Sequence, residues 1–153
     1  MPHKALEIAT HFIQVADAAQ KPISNKKLQK LLYYAQVWYY TLFGVRLFSE
    51  EMEAWVHGPV VRKVYGYYKE FNFSPIILKE GAKSAELNEV EIRFLKNIWD
   101  VYGKYDANYL EALSHSEQPW QVARQGVESH AASDTKIHLK IAKAFYEQKI
   151  EKA

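Results

Sequence analysis

The chain has no cysteine among its 153 residues. Disulfides, thiolate nucleophiles, iron–sulfur clusters and cysteine-ligated zinc are thereby excluded, and the composition fits a reducing, cytoplasmic setting. Glycine and proline are sparse, at six and five residues. The glycines are scattered, with no GxGxxG run and no Walker lysine, so a dinucleotide or nucleotide phosphate finds no backbone cradle. No apolar run is long enough to span a bilayer. The opening residues, MPHKALEIATHFIQVADAAQK, read as an amphipathic segment and not as a secretory leader. An excess of one charge is missing too: 20 basic and 18 acidic residues leave a net +2, too little to argue for nucleic acid.

Catalytic constellations are equally scarce. The six histidines (His3, His11, His57, His115, His130, His138) form no HxxxH or HExxH pair, so no metal ligand set and no cofactor is assigned. Ser114, His115, Ser116 and Glu117 are the residue types of a triad. Neighbours in sequence point in different directions, however, and no GxSxG elbow is present. A turn ahead of Pro119 fits these residues better. A hydrolase built on His57 and His115 requires the two rings to meet across a concave pocket. No catalytic residue is assigned, and a non-enzymatic protein is expected.

What is abundant is aromatic: eleven tyrosines, seven phenylalanines and four tryptophans. Hydrophobic periodicity predicts a mainly α fold, a single compact domain over residues 1–153 with about five to seven helices. A small β-hairpin or extended element is expected near residues 46–57, where Leu47-Phe48 and Ala54-Trp55-Val56 flank an acidic run. Leu6, Ala9, Phe12, Ile13 and Ala16 mark a first helix, closed by Pro22. Ser24 caps a second over about 25–43, with a stripe of Leu28, Leu31, Leu32, Ala35, Trp38 or Tyr39, and Leu42, and Gly44 as C-cap. Pro59 suits the first position of a third helix, with Val60, Val61, Val64, Tyr65 and Tyr68 on its apolar face. Residues 72–86 read as a loop with a short strand at Ile76-Ile77-Leu78. A helix from Asn88, boxed by Glu91, carries Ile92, Leu95, Ile98 and Trp99. Asp106 caps a short helix through Leu113. Ser133 or Asp134 caps a last one bearing Ile137, Ile141, Ala144 and Phe145.

On the second helix, Gln29, Tyr33, Gln36 and Tyr40 fall at spacings of four, three and four, a face distinct from the leucine stripe. Polar-aromatic faces of this kind serve protein binding. The expected partner surface is therefore Lys30, Tyr33, Tyr34, Gln36 and Tyr40, with Arg62 and Tyr65 at its edge; the alternative is a second buried face. Lys26, Lys27 and Lys30 interleave with tyrosines, and Arg62, Lys63 and Lys69 lie on another helix. That pattern supports a competing reading, a nucleic-acid-binding regulator of its own operon. No helix-turn-helix signature accompanies it.

Three blocks in order, KKLQKLLYYAQVWYY, EAWVHGPVVRKVYGYY and LSHSEQPW, resemble the Panacea domain, the SocA-like antitoxin family also labelled phage-associated GepA-like proteins. The resemblance spans roughly residues 5–150. Ser114 and Gln118 stand where the family often has Thr and Gly. The resemblance assigns Leu28, Leu31, Trp55, Gly58, Pro59, His115, Pro119 and Trp120 to the structural motif, with Trp55 as a core anchor. It implies an antitoxin encoded beside a toxin and neutralising it by direct contact. In the SocA-like case it implies an adaptor that delivers the toxin to a bacterial AAA+ protease. No membrane partner is expected.

Overall fold

A computed structural model describes residues 1–152. Its axis is helix α2 (Asn25–Phe43), of which twelve residues are buried, including charged and amide side chains. A helix enclosed on all sides sits at the centre of a bundle. The Ser24 hydroxyl accepts from Lys27 N at 3.2 Å, and Gly44 ends the helix at φ 74°, the left-handed region that glycine enters without a Cβ penalty. Around α2 pack α1 (Ala5–Ala18), α3 (Arg62–Tyr67), α4 (Glu89–Tyr102), α5 (Ala107–His115) and α7 (Leu139–Lys152), with α6 (Gln118–Ala123) packed on α5 and α7. The described residues thus hold seven α-helices and one two-stranded antiparallel sheet, the fold class expected from the periodicity.

Local chemistry sets most boundaries. Asn88 and Glu91 close a reciprocal capping box at the start of α4. Asp106 Oδ1 accepts from Tyr109 N at 2.7 Å at the start of α5. Other boundaries depart from the sequence reading because tertiary pairing overrides local signals. The hairpin lies later than expected: β1 (Glu53–Trp55) pairs with β2 (Gly58–Val60) across a turn at Val56-His57. Pro59 therefore sits in a strand opposite Ala54, and α3 starts at Arg62. Residues 46–49 instead dock on the N-terminus, with His3 N donating to the Leu47 carbonyl at 2.9 Å and Ser49 N to that of His3 at 3.0 Å.

Neither Ser133 nor Asp134 caps the last helix. Residues 135–137 run extended against the free edge of β1, with Ala54 N donating to the Thr135 carbonyl and Ile137 N to that of Met52. An unpaired strand edge demands partners, and this segment supplies them. Ile76 makes one strand-like bond, to Ile23, and no strand forms at 76–78. The inner face of α4 is Phe94, Leu95, Ile98 and Tyr102, leaving Ile92 about half exposed. Leu42 is also exposed, at the end of α2.

Candidate functional site

The tyrosine-rich face of α2 is core, which corrects its assignment as a partner surface. Lys30, Tyr33, Tyr34 and Gln36 are all buried, because α7, α5, the hairpin and residues 47–48 pack on α2. Tyr34 Oη donates to Glu117 Oε1 at 2.7 Å, Tyr146 Oη reaches the same oxygen at 3.0 Å, and Tyr33 and Tyr146 share a hydroxyl bond of 2.9 Å. Tyr34 stacks on Tyr102 at 4.0 Å between centroids, and the Tyr102 hydroxyl accepts from Trp38 Nε1 at 2.8 Å. Burial pushes all four phenols above their ordinary range. It also pushes the Glu117 carboxyl up, against the pull of its two tyrosine donors and Lys149.

The amides of the same helix serve a different purpose. Gln36 Nε2 donates to the Phe48 carbonyl at 2.7 Å, while its Oε1 accepts from Leu47 N and Phe48 N. Gln29 Oε1 accepts from Val61 N at 2.9 Å, and Asn25 Nδ2 donates to the Tyr65 carbonyl at 3.0 Å. Between α2 and α3 the chain forms only the short hairpin, so buried backbone groups there need side-chain partners, and α2 provides them. The polar character that resembles an interface is the inner lining of a joint.

The late SHSEQPW block closes that joint. Trp120 Nε1 donates to the Trp55 carbonyl at 2.8 Å, and the His115 ring stacks on Trp120 at 3.9 Å. Pro119 occupies the first turn of α6, where its missing N–H costs nothing. Arg124 is buried and donates to the carbonyls of Ala54, Glu128 and Ala131 at 2.7 to 3.0 Å, with its guanidinium over the Trp120 ring. Leu28 and Leu31 lie in the core. Trp55 does not: it is half-buried, packed edge-on against Tyr65 at 5.0 Å.

Beside the joint opens a groove of about 1000 Å³. Its floor is α2, through Asn25, Lys26, Gln29 and Lys30; its walls are the hairpin turn, α3 and residues 130–134. Of the expected partner residues, Lys30, Arg62 and Tyr65 line it, whereas Tyr40 lies at a separate small hollow with Arg46 and His138. Lys30 passes directly beneath Gly58, where a Cβ would stand 2.5 Å from its Cε; glycine at φ 110° makes that passage possible. The Lys30 ammonium donates to the Pro59 carbonyl at 3.2 Å, and burial lowers its pKa to about 7. Lys26 and His57 share Glu111, at 2.5 and 3.4 Å. Arg62 pairs with Glu53 at 3.0 Å. Phe73 stands at the rim, 89% exposed.

His57 lines the groove, but His115 turns onto Trp120 and does not, so the two do not form a shared concave site. Among the described residues no three histidines or carboxylates converge as metal ligands would, and no helix is long and apolar enough to cross a membrane. The sequence reading weighed Glu117 only as a triad carboxylate and missed Arg124, Tyr102 and Tyr146. Tyr146 shares a helical face with Leu139 and Ala142, a signal hidden by placing the start of α7 too early.

The family model for "Antitoxin SocA-like, Panacea domain" matches residues 28–121, from the first buried leucine of α2 to just past Trp120. Antitoxin SocA of Caulobacter vibrioides (strain NA1000 / CB15N) is 30% identical over 151 residues, covering 91% of this chain and 80% of that protein. No solved structure matches. The hairpin, the Gly58 passage and the Trp120 clamp all fall within the matched span, and the chain belongs to the SocA-like antitoxin, Panacea domain family.

Proposed function

We propose that this protein is an antitoxin that neutralises a cognate toxin by direct protein–protein contact, with no catalytic step of its own. Membership of the SocA-like antitoxin family carries this reading. The groove supports it: aromatic and basic side chains converge there, on a rigid base of helix and hairpin. Arg62 and Tyr65 are the expected partner residues that stand accessible in this groove, and contact is made through them. In the adaptor form of the reading, the bound toxin is passed to a bacterial AAA+ protease.

The test is co-expression with the product of the adjacent gene. Growth rescued by this chain, together with co-purification of the two untagged proteins, is the expected outcome. Failure of both removes the reading. Toxin half-life in cells with and without each AAA+ protease separates blocking from delivery. An operator-binding regulator would instead bind its promoter DNA with an affinity falling steeply as salt rises.

A further inference from the structure

We propose that the groove receives an extended, acidic segment of the partner protein, seating a carboxylate against Lys30 and an apolar side chain against Tyr65 and Phe73. The inference rests on the antitoxin reading in taking the toxin as that partner.

Lys30 is the first argument. It is 1% exposed and carries three N–H donors, yet its one hydrogen bond among the described residues goes to the Pro59 carbonyl. Buried ammonium groups are ordinarily paired with an anion. The nearest acid acting on it, Glu111, is held by Lys26 and His57, and Lys26 itself adds repulsion. The groove floor therefore holds an amine that burial drives toward its neutral form and that no carboxylate among the described residues touches; a partner carboxylate seated there would restore its charge. Lys69, exposed at the mouth, makes no ion pair among the described residues either.

The rest of the groove selects the kind of anion. Its walls are apolar where Trp55, Val60 and Tyr65 meet, and Phe73 is almost fully exposed at the rim, a placement that favours side-chain contact. A nucleic-acid backbone needs several unneutralised cations in series. Here Arg62 is paired with Glu53, and Lys26 and His57 both lie against Glu111. One deep amine and Lys69, which is unpaired among the described residues, stand beside apolar walls and match a peptide carrying isolated acidic residues among hydrophobic ones.

The probes are two fluorescent hexapeptide pools, one alternating Asp or Glu with Phe or Leu, the other identical except for Lys at each acidic position. Anisotropy should show the native chain binding the acidic pool at least tenfold more tightly. Arg62→Glu combined with Lys69→Glu should lose at least tenfold, as should Phe73→Ser, while Lys96→Glu on α4 should leave binding unchanged. Equal binding of the two pools, no binding of either, or an undiminished groove variant overturns the proposal. So does groove-dependent binding of a duplex oligonucleotide in place of the peptides. The purified product of the adjacent gene is measured in parallel. If the groove variants bind it as the native chain does, the groove assignment falls and the antitoxin reading stands. If the acidic pool binds and that product does not, the antitoxin reading falls.

Discussion

Tyr34 Oη donates to Glu117 Oε1 at 2.7 Å, joining two motif blocks 83 residues apart in the chain. The same oxygen takes the Tyr146 hydroxyl, so one carboxylate fastens α2, the start of α6 and α7. Tyr34→Phe deletes a donor from a buried carboxylate and should cost roughly 1–3 kcal/mol by chemical denaturation. The folded pKa of Glu117 is raised, so the folded state favours its protonated form. That stabilisation is present below the unfolded carboxylate pKa and is lost as pH rises through the folded value. The cost of Tyr34→Phe should accordingly be smaller at pH 4 than at pH 7; a pH-independent or absent cost would contradict the clamp.

Lys30 gives the opposite pH signature. Its folded pKa of about 7 lies below that of the unfolded chain, which binds the extra proton between pH 7 and 10.5. Native stability from this group therefore rises with pH across that window, by about 2 kcal/mol from pH 7 to pH 9. Lys26, Glu111, His57 and His115 surround the site, and all four are retained in Lys30→Met. The variant should gain stability relative to native at pH 6, with the gain shrinking steadily toward pH 9. Paired urea titrations at four pH values measure it, and a constant difference would refute the burial of a titrating lysine.

Arg124 binds three carbonyls at once with a planar fork, a task that a single ammonium cannot repeat. Arg124→Lys should cost roughly 2–4 kcal/mol, since buried carbonyls lose donors and a cation is stranded. Hydrogen exchange should locate the damage in residues 128–137 and β1. Loss spread evenly over the chain would argue against this role.

Helices with strong caps were legible in the sequence: Ser24, Gly44, Asn88 with Glu91, and Asp106 each act where local pattern places them. A small hairpin was legible as well, but its register and the start of α7 were not, because these are decided by a strand edge meeting residues 135–137, a contact between distant parts of the chain. The face of Gln29, Tyr33 and Gln36 was recognised as a face but assigned to a partner, with a second buried face as the alternative. Spacing reports which side chains share a side of a helix, and an amide satisfying a buried loop carries the same period as one awaiting a partner. Lys30, Arg62 and Tyr65 do meet at one groove, although only the last two stand at its accessible wall.

The two kinds of aromatic residue can be separated in a single experiment. Tyr33 is fully buried and bonded to Tyr146, so Tyr33→Ala opens a cavity and should cost roughly 3–5 kcal/mol. Phe73 projects into solvent, and Phe73→Ser should change stability by no more than about 0.5 kcal/mol. Under co-expression with the toxin, Tyr33→Ala should fail to rescue growth only in proportion to the folded protein it loses. Phe73→Ser should fail with its folded level and Tm intact. If Tyr33→Ala keeps the native Tm and loses rescue, the tyrosine face is a contact surface after all, and the division between joint and groove is wrong.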